Sequence, residues 1–282
     1  MEGGRVNKTK KYFFLSRLMA MGLVMGGVLA ANTTYAESIF EYLTPTADSS
    51  PAGLAFDSKG NLWFAEVNGN KIGKLTPSKV KPGTSDGIVE YELPHANSKP
   101  QYLIVSRDDI VWFSEMGGNR IGRLDPATGI IREYDIPTPN SEPHHLFESR
   151  DRKIWFTEFE ANKIGRLDPI MGEIKEFPVN EGHPHDLVVD DEYVWYTQGG
   201  KFWAGVFSNK IGFLELKSGQ VGEILVSPKK SVPHGMFLAS DSTVWFTQFF
   251  ANKISWLDFS EEFPPKVISY LVPGKRTGVH DL

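Results

Sequence analysis

Residues Glu142–Pro178 read EPHHLFESRDRKIWFTEFEANKIGRLDPIMGEIKEFP. The stretch divides into four short strands. His144–Glu148 is the first, Lys153–Glu158 the second and Lys163–Leu167 the third. The turns Asp168-Pro169 and Met171-Gly172 lead into a fourth strand, Glu173–Pro178. Two-residue alternation, aromatic and β-branched residues, and Gly, Pro and Asp at the breaks favour strands over helices.

The pattern recurs. Trp63-Phe64, Trp112-Phe113, Trp155-Phe156, Trp195-Tyr196 and Trp245-Phe246 are spaced by 49, 43, 40 and 50 residues. A proline stands 12 residues before four of these Trp and 11 before Trp195. Asn70, Asn119, Asn162 and Asn252 each follow their Trp by seven residues, and a basic residue and Ile come next. In the fourth unit Asn209 comes seven residues later, after an insertion around Gly199-Gly200-Lys201-Phe202-Trp203. Periods of this length built from short strands indicate propeller blades. The Trp residues are expected in the core between blades, and the Asn residues in tight turns.

The fold expected is an all-β propeller with five complete four-stranded blades and partial strands at both ends. Ser38–Thr44 matches a fourth strand, and Gly278–Leu282 the start of a sixth unit. This is the pattern of a six- or seven-bladed ring cut short.

Composition narrows the function. The 282 residues include no Cys, which removes disulfides, thiolate metal sites and cysteine nucleophiles. Any metal must be held by His, Asp, Glu, backbone oxygen or water. Residues 1–36 carry a net charge of +4 and the remainder −9. An acidic body gives no electrostatic reason to expect nucleic acid. Basic residues up to Arg17, an apolar run Leu18–Ala31 and small residues near Ala36 form a secretory leader. The leader at 1–36 precedes a propeller domain at 37–282. The protein is expected outside the cytoplasm, secreted or periplasmic, and off the membrane once the leader is cleaved. An uncleaved anchor is the alternative. A monomer is expected.

Propeller function lies in the loops at the channel mouth. The residue after the repeat's proline reads Ala52, Gln101, His144, His185 and His234, then His280. The residue three after each Trp reads Glu66, Glu115, Glu158, Gln198 and Gln248. Both positions are expected on one rim. Singly, each His is a polar residue at a strand start and each Glu a turn cap. As a set, they could ligate a divalent metal, or supply a general base and a polarised electrophile. The third unit is the richest, with Glu142, His144 and Glu158. His185, Gln198 and Gln248 are candidates to line a ligand site. Trp203 either covers a bound ligand or packs on the next blade.

These stretches resemble the streptogramin B lyase, or virginiamycin B lyase, family over about residues 38–282, through both the WFTE and NKIGRL segments. The resemblance implies a seven-bladed propeller that opens a cyclic depsipeptide by elimination across its ester, inactivating the antibiotic. It implies Mg²⁺, a histidine base in a Glu-Pro-His-Gly stretch, and a second Glu after the Trp-Phe pair. Glu142, His144 and Glu158 correspond to that set, with Glu142 and Glu158 as metal ligands. His234 matches the His-Gly part, but Val232 and Gln248 stand where carboxylates are wanted. His144 and His234 are thus the catalytic candidates, beside Glu158. The ligand expected at the channel mouth is a small molecule or cyclic peptide. A non-catalytic binding or scaffold propeller and a metal-dependent lactone hydrolase are the alternatives.

Overall fold

The computed structural model describes residues 39–260, 263–273, 278 and 280. The expected leader lies outside them. Five antiparallel sheets follow one another, each with its four strands in chain order. The first holds β1 (Pro51–Phe56), β2 (Leu62–Glu66), β3 (Lys71–Leu75) and β4 (Ile88–Glu92). The second holds β5 (Pro100–Val105), β6 (Val111–Glu115), β7 (Arg120–Leu124) and β8 (Ile131–Asp135). In the third are β9 (Pro143–Glu148), β10 (Ile154–Glu158), β11 (Lys163–Leu167) and β12 (Ile174–Pro178). The fourth comprises β13 (Pro184–Val189), β14 (Tyr193–Gln198), β15 (Lys210–Glu215) and β16 (Val221–Leu225). The fifth comprises β17 (Pro233–Leu238), β18 (Val244–Gln248), β19 (Lys253–Asp258) and β20 (Lys266–Leu271). The first strands pack in succession, β1 on β5, β5 on β9, β9 on β13 and β13 on β17. The result is an arc of propeller blades with its inner strands toward the axis.

The core sits between blades. Trp63 and Ile72 of the first blade pack with Leu103, Phe113 and Leu124 of the second. Trp155 and Ile164 of the third likewise pack with Leu187, Tyr196 and Leu214 of the fourth. In the first four blades the aromatic after the Trp turns to the other face, where the repeat's glycine admits it, and in the fifth Phe246 faces Ser255 instead. A Cβ on Gly165 would stand 2.1 Å from Cζ of Phe156, its cross-strand partner. The asparagines take the expected left-handed conformation, with φ between 51° and 57° at Asn70, Asn119, Asn162 and Asn252.

The two ends differ from expectation in detail. Residues 39–44 form no strand. They attach instead to the β3–β4 loop, where Gly83 N donates to Glu41 O and Leu43 N to Thr84 O. At the other end, the His280 carbonyl accepts from Gly235 N at 3.1 Å and from Thr247 Oγ1 at 2.8 Å. That places His280 beside the fifth blade as His234 sits beside the fourth. Among the described residues no helix is long and apolar enough to cross a membrane.

Candidate active site

Each inner strand begins with a bulge, and the bulge aims the site residues. In the third blade Pro143 pairs with Glu158 and Leu146 with Phe156, so His144 and His145 share the place opposite Thr157. His185 and Asp186 stand in the same way opposite Thr197, and His234 and Gly235 opposite Thr247. Such bulges re-aim side chains beside active sites.

A hydroxyl fixes each bulge and joins it to the next blade. Thr157 Oγ1 accepts from His145 N at 3.0 Å and donates to His185 O at 3.0 Å. Thr197 Oγ1 accepts from Asp186 N and donates to His234 O, and Thr247 repeats the device with Gly235 and His280. Ser114 performs it between Tyr102 and His144, whereas the first blade has Ala65 at this place. The repeat's asparagine pins the loop leading into the following inner strand. Asn162 Oδ1 accepts from Gly182 N and His183 N, just before Pro184.

The outcome is a row of imidazoles. Ring centroids are 4.1 Å apart for His144 and His185, 3.8 Å for His185 and His234, and 3.9 Å for His234 and His280. The shared address of the post-proline residues thus holds for His144, His185 and His234. His185 is 7% exposed and its Nδ1 has no hydrogen-bond partner. Burial first, and then the charges of His144 and His234, hold its pKa well below the usual histidine range.

Aromatic rings lie against the row. Phe159 is 6.1 Å from both His144 and His185, and Phe249 is 6.1 Å from His234. The insertion in the fourth blade forms a 3₁₀ turn, Phe202–Ala204. From it Trp203 stacks on Phe159 of the third blade at 5.3 Å, while Phe202 reaches His234 at 6.1 Å and Phe249 at 5.8 Å. The insertion therefore packs on its neighbours and also spans the row, with Trp203 still 62% exposed.

The residues three after each Trp stand elsewhere. All five are fully buried. Burial first, and then the charge of Glu176, pushes Glu158 up to about 8, with Lys163 opposing. Burial likewise pushes Glu66 and Glu115 up to about 7, followed by the Glu90 charge for Glu66 and, for Glu115, the Glu133 charge against hydrogen bonding from Ser98. Gln198 Nε2 donates to Asn180 O, and Gln248 Nε2 to Ser255 Oγ and Ser269 Oγ. Although they share the rim, Glu66, Glu115 and Glu158 turn toward the basic residue that opens the third strand, Lys71, Arg120 and Lys163, Gln248 turns toward Ser255 and Ser269, and Gln198 turns toward the loop before β13.

This bears on Mg²⁺. Both carboxyl oxygens of Glu158 are buried without a hydrogen-bond partner, and burial raises its pKa. Glu142 stands in other surroundings. Burial first and then the Glu160 charge raise its pKa, against Lys201 and Lys99. Among the described residues no three His, Asp or Glu are placed to hold a metal ion. Glu142 and Glu158 thus belong to no group of three such residues among those described.

One pair beside the row stands at a position that the repeat does not fix. His145 Nδ1 lies 2.7 Å from Asp186 Oδ1, between neighbouring blades. Its signal was the position after the row residue, which reads Gly53, Tyr102, His145, Asp186 and Gly235 and so varies freely across the repeat.

Known proteins place this architecture. Virginiamycin B lyase from Staphylococcus aureus is 29% identical with a TM-score of 0.71, over 83% of this chain and 74% of that one. A catalytically inactive histidine-to-alanine variant of that enzyme, solved with quinupristin, is 29% identical with a TM-score of 0.72, over 85% and 76%. A gluconolactonase from Xanthomonas campestris, at 16% identity and a TM-score of 0.57 over 82% and 78%, shares the fold alone. No curated protein is matched by sequence. The virginiamycin B lyase family model matches residues 30–257, and the chain belongs to that family.

Proposed function

We propose that the protein is an exported lyase that opens a cyclic ester, of the depsipeptide kind, by elimination at the imidazole row. The observation that carries this reading is the row itself, three inner strands converging His144, His185 and His234 beneath aromatic rings. Family membership and the likeness to virginiamycin B lyase support it, and the leader-like residues 1–36 support export.

Elimination needs a base for the weakly acidic proton beside a carbonyl, and stabilisation of the charge that develops there. Neutral imidazoles serve as bases near neutrality. His185 remains neutral through burial and its histidine neighbours. The aromatic layer offers apolar area for a cyclic peptide and keeps water from the reacting bond.

The test is ring-opening of a streptogramin B by purified protein, in Mg²⁺ and in EDTA, followed by mass spectrometry. Elimination leaves the mass unchanged, whereas hydrolysis adds one water. Turnover without added mass, lost in His144→Ala or His234→Ala, supports the reading. An intact wild-type reaction mixture leaves a binding propeller as the better account.

A further inference from the structure

The insertion of the fourth blade is tied to the third by one charged contact. We infer that Lys201 is a positioning residue for ligand recognition: its ion pair with Glu160 holds the insertion across the imidazole row, so that Phe202 and Trp203 line the ligand's place. The recognition half rests on the proposed function; the tether rests on geometry alone.

The insertion is a loop closed on itself. Ser208 N donates to Gly199 O at 3.0 Å and shuts the neck, while Ala204 N and Val206 N both donate to Lys201 O, at 2.8 and 3.0 Å. Gly200 takes φ 72°, and a Cβ there would stand 2.6 Å from Val206 O. A loop packed on its own backbone behaves as one piece, so a few outside contacts fix where it lies.

Those contacts reach both ways. Trp203 stacks on Phe159 of the third blade, and Phe202 meets Phe249 of the fifth. Burial of rings is non-directional, so it does not by itself set the angle of the loop. The ion pair supplies a direction, with Lys201 Nζ 2.5 Å from Glu160 Oε2. Among the described residues, no other hydrogen bond or ion pair joins residues 201–207 to another blade. Glu160 is itself held, since its N donates to Ser141 O at 3.0 Å, and Phe159 N donates to Glu142 O at 3.1 Å. The acid and the ring that receive the insertion are thus neighbours on one fixed turn. The side chains of the pair are 28% and 30% exposed, so water screens them only in part.

The repeat does not ask for this acid. Five residues after each Trp the chain reads Asn68, Gly117, Glu160, Gly200 and Phe250. A carboxylate stands there only in the blade that faces the inserted lysine. Lys201 also lies in the field of Glu142, so the test separates the two acids.

The chain has no Cys, so Val206→Cys gives a single labelling site on the exposed side of the insertion. A nitroxide attached there reports, by its electron paramagnetic resonance line shape, how firmly the loop is held. Lys201→Met and Glu160→Gln should each sharpen the lines. Each should also raise KM for a streptogramin B about 2- to 5-fold with kcat little changed, the range of a partly exposed ion pair. Lys201→Glu combined with Glu160→Lys should restore both readings, which neither reversal does alone. Unchanged lines in Lys201→Met overturn the tether. Lines sharpened in Lys201→Met but not in Glu160→Gln assign the tie to Glu142 and overturn the pair. Sharpened lines with an unchanged KM overturn the recognition half. Where the wild type leaves the ester closed, Kd by fluorescence titration takes the place of KM. A wild type that neither opens nor binds the streptogramin overturns the recognition half together with the proposed function, while the line shape still decides the tether.

Discussion

The rings of His185 and His234 lie 3.8 Å apart, although they come from inner strands of different blades. A proton on His185 would have no water around it and other imidazoles on both sides. Its folded pKa is therefore depressed, by burial first and by its neighbours second. The sign follows from linkage. Below about pH 6.5 the unfolded chain binds a proton that the folded site refuses. Stability should fall as pH drops through that value, at up to about 1.4 kcal/mol per pH unit for this one group. Thermal unfolding of wild type and His185→Asn from about pH 5 to 8 checks it. The variant should lose part of the acid-side slope, and parallel curves would contradict the argument.

The buried carboxyl groups act in the opposite direction. Glu66 and Glu115 are raised to about 7 and Glu158 to about 8, so each is protonated when folded and ionised when unfolded above about pH 4.5. Stability contributed by the neutral form is full below about pH 4.5 and is lost as pH rises toward 7–8. The fourth and fifth blades hold Gln198 and Gln248 at this place, so the site accepts a neutral amide. Glu158→Gln should raise Tm by a few degrees above pH 8 and change it little near pH 5. A uniform shift at both pH values would point to packing instead.

Thr157 links two blades through one oxygen. It accepts from His145 N and donates to His185 O, and it is fully buried. Thr157→Val keeps the shape but orphans both backbone groups. Orphaned buried polar groups cost about 1–3 kcal/mol each. Denaturant unfolding should show a loss of that order, and turnover should fall because His145 and His185 lose a common anchor. A stability loss under about 0.5 kcal/mol, the ordinary scatter of surface changes, would contradict the role.

The repeat made the blades legible, because Trp155, Asn162 and Gly165 each answer a local demand of the strand–turn–strand unit. Trp155 fills the space between sheets, Asn162 takes a left-handed turn, and Gly165 admits Phe156. The imidazole row was legible for the same reason, since one position of the repeat holds one place in space. Glu158 was misplaced because sharing a rim does not mean sharing a face. Its side chain runs outward to Glu176 and Lys163 of its own blade. The His145–Asp186 contact was hidden because it joins one blade to the next at a position the repeat leaves free.

Trp203 gives the sharpest separation of binding from stability. It sits on the inserted 3₁₀ turn, 62% exposed, and its main ring contacts are Phe159 at 5.3 Å and Phe202 at 5.1 Å. So exposed a ring adds little to folding, and Trp203→Ala should change stability by no more than about 0.5 kcal/mol. Its other face remains open above rings that border His144 and His185. An aromatic contact with ligand is worth about 0.5–1.5 kcal/mol beyond area burial. A streptogramin B should therefore show KM, or Kd by fluorescence titration, raised about 2- to 10-fold in Trp203→Ala, since each 1.4 kcal/mol is tenfold. The imidazole row proposed for the chemistry lies beside Phe159, beneath this ring, so kcat should fall by much less than in His144→Ala. A large drop in Tm would show that the insertion is held for packing, and an unchanged Kd would show that the ligand sits away from the insertion.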